Sequence, residues 1–280
     1  MPHRNNREAA MYLAPALVLA ALVLLAPLGY IVYFSLHSDS GAPGLGSYAS
    51  LARSGLFWHS LWITLRISAA GALLTTLVGY PVALHLSQLS PRRRGLYMIL
   101  VLVPFWTSIL VKSYAFTVIL GRHGLINSAL SWLLGHPVQL PLIFNNVGVM
   151  IGMTNYLIPF VVFPVLASLL AIDRSIYRAA EVVGATPWQI LRKITLPLSM
   201  PGVLSGLVST FVMSTGFFVI PALLGGRKDM MLANLVEFFT SQVLQWNEAS
   251  AIAVVLLGIV TLGAGLAMQA RRSAATARAS

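Results

Sequence analysis

Long apolar segments without any charged residue alternate with short charged segments along this chain. The segments free of Asp, Glu, Lys and Arg are 9–38, 67–91, 95–111, 123–172, 194–226 and 249–270. A helix needs about 20 mostly apolar residues to cross the hydrocarbon core of a bilayer. The fourth segment contains a loop-like run and holds one such helix, and the third continues past Lys112. The pattern predicts six transmembrane helices, at about 11–36, 60–88, 95–120, 147–171, 202–224 and 249–270.

The composition supports a membrane protein. Of the 280 residues, 58% are hydrophobic and 9% are charged, whereas charged residues make up about 25% of a soluble domain. The chain has no cysteine, which excludes disulfide scaffolds, zinc ribbons and cysteine nucleophiles. Its sequence also contains no His-Glu-x-x-His spacing for a metal. An ordinary soluble enzyme is therefore excluded as a class.

The basic residues are distributed unevenly between the two sides of the membrane. The net charge is +11, and six spans place both termini on one side. With the predicted spans, that side holds twelve basic residues and the opposite side holds four. Because Lys and Arg are enriched in cytoplasmic loops, we predict cytoplasmic termini. The basic residues form short juxtamembrane clusters, which are typical of contact with the lipid bilayer and not of nucleic-acid binding.

The loop between the fourth and fifth predicted spans, residues 173–201, is long for a cytoplasmic connection and has a helical pattern of its own. Asp173 or Ser175 can cap a first short helix, which Gly184 can end. Thr186 can then cap a second short helix. We expect a proline-containing stretch after it to stop this second helix, at Leu196-Pro197.

Physical reasoning leaves two interpretations of this loop equally open. It is either an amphipathic hairpin that lies on the bilayer surface or a docking element for a cytoplasmic partner. The spacing of its residues favours the second interpretation. Ala179-Ala180 is followed after three residues by Gly184-Ala185, and Ile194-Thr-Leu-Pro197 begins nine residues after Gly184.

This spacing resembles the coupling-loop motif of ABC importer permeases, Glu-Ala-Ala-x3-Gly-x9-Ile-x-Leu-Pro. The leading acid of the motif falls on Arg178, and the nearest acid is Glu181, one helical turn later. The resemblance implies that the loop docks on an ATPase subunit. The candidate coupling residues are Arg178, Ala179, Ala180, Glu181, Gly184, Ala185, Trp188, Ile194 and Pro197.

Further segments look like the spermidine/putrescine permease group, namely Gly79-Tyr-Pro81-Val-Ala83, Val103-Pro-Phe-Trp-Thr-Ser108, Ser113-Tyr-Ala115 and Gly225-Gly226 before Asn234-Leu235. The resemblance implies an all-α membrane protein of the bacterial inner membrane. Its five-helix permease core, type I and MetI-like, would follow one N-terminal helix. The expected divisions are an N-terminal helix and outer loop (1–56), the permease domain with its coupling loop (57–271) and a cytoplasmic tail (272–280).

The resemblance also implies an assembly. Its expected partners are a second permease subunit of different sequence, two ATPase subunits and an extracytoplasmic solute-binding protein. A P-loop requires Gly-Lys followed by Ser or Thr, and none of Lys112, Lys193 and Lys228 meets this requirement. We therefore expect this chain to bind no cofactor, and ATP and Mg to bind to the partner ATPase.

Polar and aromatic residues near prolines are candidates for the translocation path, because irregular backbone inside a membrane is tolerated where it faces protein or a cavity. Ordinary bundle packing remains the alternative interpretation. Lys112 is expected near the outer interface, where it would extend to water or contact another subunit. The path candidates are Trp106, Thr107, Ser108, Tyr114, Asn155, Tyr156, Glu237 and Trp246.

A polyamine is the expected substrate, because aromatic faces and carboxylates suit a polycation. The alternatives are other small solutes carried by related permeases, such as opines, phosphonates and ferric complexes, and an anionic solute would suit Lys112 better. A secondary transporter is a further alternative, but it would need acids at mid-membrane, and no predicted span contains one.

Overall fold

Helices form the secondary structure of the described residues, in which no strand longer than one isolated bridge occurs. The computed structural model describes residues 3–37, 43–226 and 228–276, and side chains within 13–37, 43–226 and 228–265. The α-helices are α1 (His3–Ser35), α2 (Gly46–Arg53), α3 (Gly55–Gln88), α4 (Pro91–Trp106), α5 (Ile109–Leu120), α6 (Leu125–Leu134), α7 (Asn146–Leu170), α8 (Arg174–Val182), α9 (Pro187–Ile190), α10 (Leu196–Thr215), α11 (Val219–Leu224), α12 (Leu232–Phe238) and α13 (Trp246–Thr276). Two π-helical turns occur beside them, π1 (Leu191–Thr195) and π2 (Phe239–Val243).

The prediction of six membrane-spanning segments is confirmed. Among the described residues, six helical segments are long and apolar enough to cross a bilayer. Four of them overlap the predicted spans closely, and the third and fifth differ. The six segments are Leu13–Ser35, Gly55–Gln88, Ile109–Leu134, Asn146–Leu170, Pro187–Thr215 and Trp246–Gly265.

The predicted continuous helix 95–120 is wrong, because the chain breaks between α4 and α5. Thr107 and Ser108 have extended backbone angles, with ψ of 139° and 128°. The Thr107 hydroxyl donates to the carbonyl of Val103 at 2.9 Å. Such local side-chain hydrogen bonds of Ser and Thr compete with helix continuation. By length and composition, the third candidate span runs from Ile109 to Leu134 and so includes α6, which lies in the predicted outer loop.

The predicted fifth span, 202–224, is also wrong at its start and near its end. The helix begins at Pro187, passes through π1 into α10 and ends at Thr215, and α11 follows after a short break. Pro197 does not stop the helix. A proline in an α-helix lacks an N–H and collides with the carbonyl four residues earlier. Here that carbonyl belongs to Lys193 in the wider π1 turn, where the N–H of Leu196 bonds to Leu191.

The chain divides into two compact units, one of residues 1–58 and 235–257 and the other of residues 59–234 and 258–280. Within the first unit, the Tyr48 hydroxyl donates to Ser35 at 2.9 Å, and the Ser50 hydroxyl donates to Glu248 at 2.7 Å. The second unit contains the 173–201 loop and most of the buried core. The division of the sequence at 56/57 and 271/272 stays a prediction.

Helix α7 forms the centre of the second unit. Its residues Val149, Met153, Leu157, Val161 and Val165 recur every fourth position, and each is fully buried. An i, i+4 spacing keeps these side chains on one face of the helix. The face joins two hydrophobic clusters that also include residues of α3.

Helix α10 packs closely against α7 through small residues. A Cβ atom at Gly202 would lie 2.4 Å from the carbonyl oxygen of Pro164, and one at Gly206 would lie 3.0 Å from Val161 Cα. Glycines four residues apart allow two membrane helices to approach to backbone contact. Because α7 leads into the 173–201 loop and α10 leaves it, this contact fixes the two helices that carry the loop.

Candidate functional site

The first half of the 173–201 loop is a short helix with a defined start. The backbone N–H of Ser175 donates to the Asp173 carboxylate at 2.8 Å, so Asp173 is the cap of α8. This hydrogen bond to the backbone holds the pKa of the Asp173 carboxyl below its ordinary value. Of the two predicted caps, the structure therefore selects Asp173.

The end of α8 is a left-handed glycine turn, as predicted. Gly184 has a φ of +82°, its N–H donates to Glu181 O, and the N–H of Ala185 donates to Ala180 O, both at 3.0 Å. This pair of hydrogen bonds is the Schellman arrangement, which needs a residue that tolerates positive φ. The turn breaks the helical ladder between the two halves of the loop.

The second half begins with a complete capping box. The Thr186 N–H donates to the Gln189 side chain at 2.8 Å, and the Gln189 N–H donates to the Thr186 hydroxyl at 3.4 Å. Pro187 occupies the first helical position, where a missing N–H costs nothing. From there the backbone is helical without a break to Thr215, so the loop's second half is an extension of α10.

The side chains of the loop present an apolar tip. Trp188 is 66% exposed, and Val182 and Val183 are each 87% exposed. Trp188 was predicted from the sequence, and the two valines were not. Their signal was the pair of large apolar residues directly before the helix-ending Gly184. Exposed apolar groups of this size are typical of a surface that another molecule covers.

Arg178 and Glu181 line one side of a cleft of about 1010 Å³. They lie three residues apart and share a face of α8, as predicted. The opposite wall comes from the cytoplasmic ends of α3 and α7, through Ser87, Gln88 and Leu169. These wall residues were not predicted, since only the tertiary fold brings them to the loop. The other coupling candidates Ala179, Ala180, Ala185, Ile194 and Pro197 are exposed or half-buried on the same stretch.

A second group of polar residues lies inside the spanning helices. The ammonium of Lys112 in α5 donates to the Asn155 side-chain oxygen in α7 at 3.4 Å. The same Nζ lies 5.1 Å from the ring centroid of Tyr156, within cation–π range. The structure thus turns Lys112 towards α7, whereas the sequence analysis expected the side chain to extend to the outer interface. We call Lys112, Asn155 and Tyr156 the ammonium cluster.

Aromatic rings surround the ammonium cluster. The Tyr156 ring lies 5.3 Å from Phe105 and 5.4 Å from Phe217, and Phe160 lies 5.4 Å from Phe105, all between centroids. These four rings come from α4, α7 and the segment between α10 and α11. The sequence analysis predicted Tyr156 as a path residue and missed the three phenylalanines, whose spacing is also typical of a helical core.

The remaining path candidates do not join the ammonium cluster. Trp106 is 80% exposed and Tyr114 is 60% exposed, and Thr107 and Ser108 form the exposed break between α4 and α5. Glu237, which is half-buried, and Trp246, which is 59% exposed, belong to the other compact unit. The structure therefore brings together only Asn155 and Tyr156 among the eight candidates.

Comparison with known proteins identifies the family. The family model described as "Binding-protein-dependent transport system inner membrane component" matches residues 75–272. This range is more than half of the chain and includes the 173–201 loop and the ammonium cluster. The chain belongs to this family.

Two relatives of the permease have named transport systems. The spermidine/putrescine transport system permease protein PotB of Haemophilus influenzae is 31% identical over 211 residues, which cover 74% of this chain and 72% of the relative. The putative 2-aminoethylphosphonate transport system permease protein PhnU of Salmonella paratyphi A is 27% identical over 274 residues, 92% of this chain and 89% of the relative.

The fold of the permease also occurs in a solved transporter. The crystal structure of the bacterial alginate ABC transporter, in complex with alginate pentasaccharide-bound periplasmic protein, contains a chain with a TM-score of 0.74 to this one. The two chains are 19% identical, and the match covers 96% of each. This likeness confirms the predicted all-α ABC importer permease fold. The chain is a membrane-embedded permease subunit of an ABC importer of the inner membrane.

Proposed function

We propose that this permease forms part of the translocation path of a polyamine importer and that a separate subunit hydrolyses the ATP. The observation that carries the substrate class is the 31% identity to a spermidine/putrescine permease over 74% of the chain. The ammonium cluster supports it, because an amide oxygen and an aromatic face are groups that bind a primary ammonium. Polyamines carry several such ammonium groups on an alkyl chain.

The 173–201 loop is our candidate for the element that transmits ATPase motion to the path. Its exposed apolar tip offers a docking surface, and its second half is continuous with α10. A displacement at Trp188 would therefore move α10 directly, without an intervening loop. The first half would follow through the Gly184 turn. Such rigid-element motion about a hinge is a common form of alternating access.

Arg178 and Glu181 are the residues we assign to docking in place of the motif's glutamate. Both are exposed on the cleft face of α8. We infer that Glu181 substitutes in part for the missing acid, or that the ATPase carries an acid opposite Arg178. The variants Arg178→Glu and Glu181→Arg should weaken capture of the ATPase in a pull-down. Unchanged assembly and transport in both variants would contradict this assignment.

The partners we propose are two ATPase subunits with bound ATP and Mg, an extracytoplasmic binding protein and a second permease of different sequence. The family description names a binding-protein-dependent system, which supports the binding protein. The absence of a Gly-Lys-Ser/Thr sequence supports a separate ATPase. Co-purification of the chains encoded beside this one would test the proposed composition.

A phosphonate is the second candidate substrate. The 2-aminoethylphosphonate permease matches 92% of this chain, and among the described residues Lys112 has no carboxylate partner. An intramembrane cation without a counter-charge would attract an anionic group. 2-Aminoethylphosphonate carries both an ammonium and an anion, so it would also use the ammonium cluster.

The test is the ATPase activity of the reconstituted complex with binding protein loaded with one solute at a time. We expect stimulation by spermidine- or putrescine-loaded protein and none by the empty protein. Stimulation by the 2-aminoethylphosphonate-loaded protein alone would support the importer role and would identify the phosphonate, and not a polyamine, as the substrate. If no ATPase co-purifies with the permease, the proposed docking role of the loop fails.

A further inference from the structure

The Lys112 ammonium, in the first turn of α5, is held loosely against Asn155 of α7. Its hydrogen bond to Asn155 measures 3.4 Å, beyond the usual 2.7–3.2 Å range for an N–H···O bond. An ammonium has three donors, and this is the one hydrogen bond from the Lys112 ammonium to another described residue. The contact is therefore weak enough to exchange.

The surroundings of this ammonium are those of a cation-binding position without a negative charge. Asn155 contributes a carbonyl oxygen, Tyr156 contributes a ring face at 5.1 Å, and Phe105 and Phe217 flank that ring. Aromatic faces with a neutral oxygen recognise organic ammonium groups through the ring quadrupole. Nothing in this set depends on the ammonium being attached to Lys112.

A cavity borders the position at Asn155 and is the side from which a free amine would enter. Its volume is about 530 Å³, and Asn155 lines it together with residues of α3 and α4. Its wall is mainly apolar, for example at Leu86 and Leu100, and its other polar groups are His85 and Tyr97, whose rings lie 6.1 Å apart. An alkyl chain with an ammonium at its end matches an apolar cavity that has an amide at its edge.

We propose that Asn155 and Tyr156 form an ammonium-binding position of the translocation path and that Lys112 is a tethered competitor for it. With the path empty, the lysine fills the position. A substrate ammonium that enters from the cavity displaces it, since two like charges do not share one amide oxygen. This inference deepens the proposed polyamine function and rests on it for the identity of the entering amine.

Chemical rescue tests this position without knowledge of the substrate. Lys112→Ala removes the side chain beyond Cβ, which corresponds to n-propylammonium. In the assembled complex in nanodiscs, we expect this variant to unfold at a lower temperature than the wild type. Millimolar n-propylammonium should raise the unfolding temperature of the variant by several degrees and leave that of the wild type unchanged. The uncharged analogue n-propanol should restore nothing.

The matched control is Asn155→Leu in the Lys112→Ala background, which should abolish the rescue. Equal protection by n-propanol, equal protection of the wild type, or rescue without Asn155 would overturn the proposal. If Lys112→Ala does not assemble, Lys112→Met is measured with ammonium chloride against sodium chloride. Methionine fills the lysine stem up to Cε and lacks only the charged nitrogen, and the absence of selective protection by ammonium there would also overturn the proposal.

The two experiments distinguish a failure of the ammonium position from a failure of the proposed polyamine substrate. Rescue by propylammonium without any stimulation by polyamine-loaded binding protein would keep the ammonium position and reject the polyamine. Stimulation by a polyamine without rescue would keep the substrate and reject Lys112 as its competitor.

Discussion

The two halves of the 173–201 loop are similar in length and differ in how they join the spanning helices. The first half, α8, ends at Gly184 in a left-handed turn with a φ of +82°. The second half begins at the Thr186 capping box and runs without a break through π1 into α10. A turn can change its angle, whereas a continuous helix transmits displacement along its length. In the proposed coupling, the Gly184 turn would act as a hinge and the continuous helix as a lever.

The comparison also shows what breaks a helix in this chain. The second half starts with Pro187 at its first helical position, and the helix continues through Pro197 and Pro201. The first half contains no proline and ends at a glycine. Pro197 is tolerated because the wide π1 turn precedes it. A proline ends a helix when its ring collides with the carbonyl four residues earlier. The wider π turn moves that carbonyl away from the ring.

Removal of one residue from π1 should have the largest effect on stimulated ATP hydrolysis, because π1 lies within the continuous helix from Pro187 to Thr215. Deletion of Arg192 would convert π1 to an α-turn. The ring of Pro197 would then collide with the Lys193 carbonyl, and the helix would kink between Trp188 and α10. We expect binding-protein-stimulated ATP hydrolysis to fall to the unstimulated rate. Arg192→Ala, which keeps the residue count, should retain most of the stimulation, and equal behaviour of the two variants would contradict the lever.

Gly184→Val should impair the hinge. Valine is β-branched and resists a positive φ, so the native turn loses roughly 1–2 kcal/mol. A cost of this size lowers the population of the turn by about 5–30-fold. Gly184→Asn is the control, since asparagine tolerates this region. No side chain would collide here, so equal stimulated ATPase rates for both variants would show that the turn geometry is unimportant.

Gly202→Ala should weaken the packing of α10 against α7. Its Cβ would lie 2.4 Å from the Pro164 carbonyl oxygen, and overpacking of this kind costs about 1–3 kcal/mol. We expect a lower unfolding temperature of the complex in detergent. Gly258→Ala, where a Cβ meets nothing within 4 Å, should leave that temperature unchanged. A similar loss in both variants would argue against close α7–α10 contact.

Thr186→Val should have a smaller effect, because it removes one half of the capping box at the start of the lever. Loss of an N-cap costs about 1 kcal/mol. Amide hydrogen exchange of residues 188–190 should become several-fold faster, while α8 keeps its exchange rates. Thr186→Ser retains the hydroxyl and should behave like the wild type. Unchanged exchange in Thr186→Val would mean that π1 and α10 alone hold this segment.

Low pH should destabilise the first turn of α8, and this is the smallest of the expected effects. The pKa of Asp173 is depressed by its hydrogen bond from Ser175, so the cap is fully present above the ordinary carboxyl pKa and is lost as pH falls through the lowered folded value. Exchange at Ser175, corrected for intrinsic rate, should rise at low pH. Asp173→Asn keeps a cap that does not titrate, and the same pH response in this variant would contradict the assignment.

The local features of this molecule follow from its sequence, and the tertiary ones do not. The span 147–171 was predicted within one residue of α7, because a loop-like run precedes the apolar segment and Asp173 follows it. The Gly184 turn and Thr186 cap were predicted from residue type and spacing alone. The span 202–224 was wrong because π1 depends on backbone register, which no residue type signals. Lys112 and Asn155 were noticed separately, and their contact arises from the packing of α5 on α7.

The central claim is that the loop's second half moves as one body with α10 while its first half pivots. The chain has no cysteine, so introduced cysteine pairs carry spin labels without background from the permease itself. Distances from Leu204 to Gln189 and from Leu204 to Val182 would be measured by double electron–electron resonance in the assembled complex, nucleotide-free and ATP-bound. We predict an unchanged Leu204–Gln189 distance and a shifted Leu204–Val182 distance. A Leu204–Gln189 distance that changes as much as the other would contradict the account.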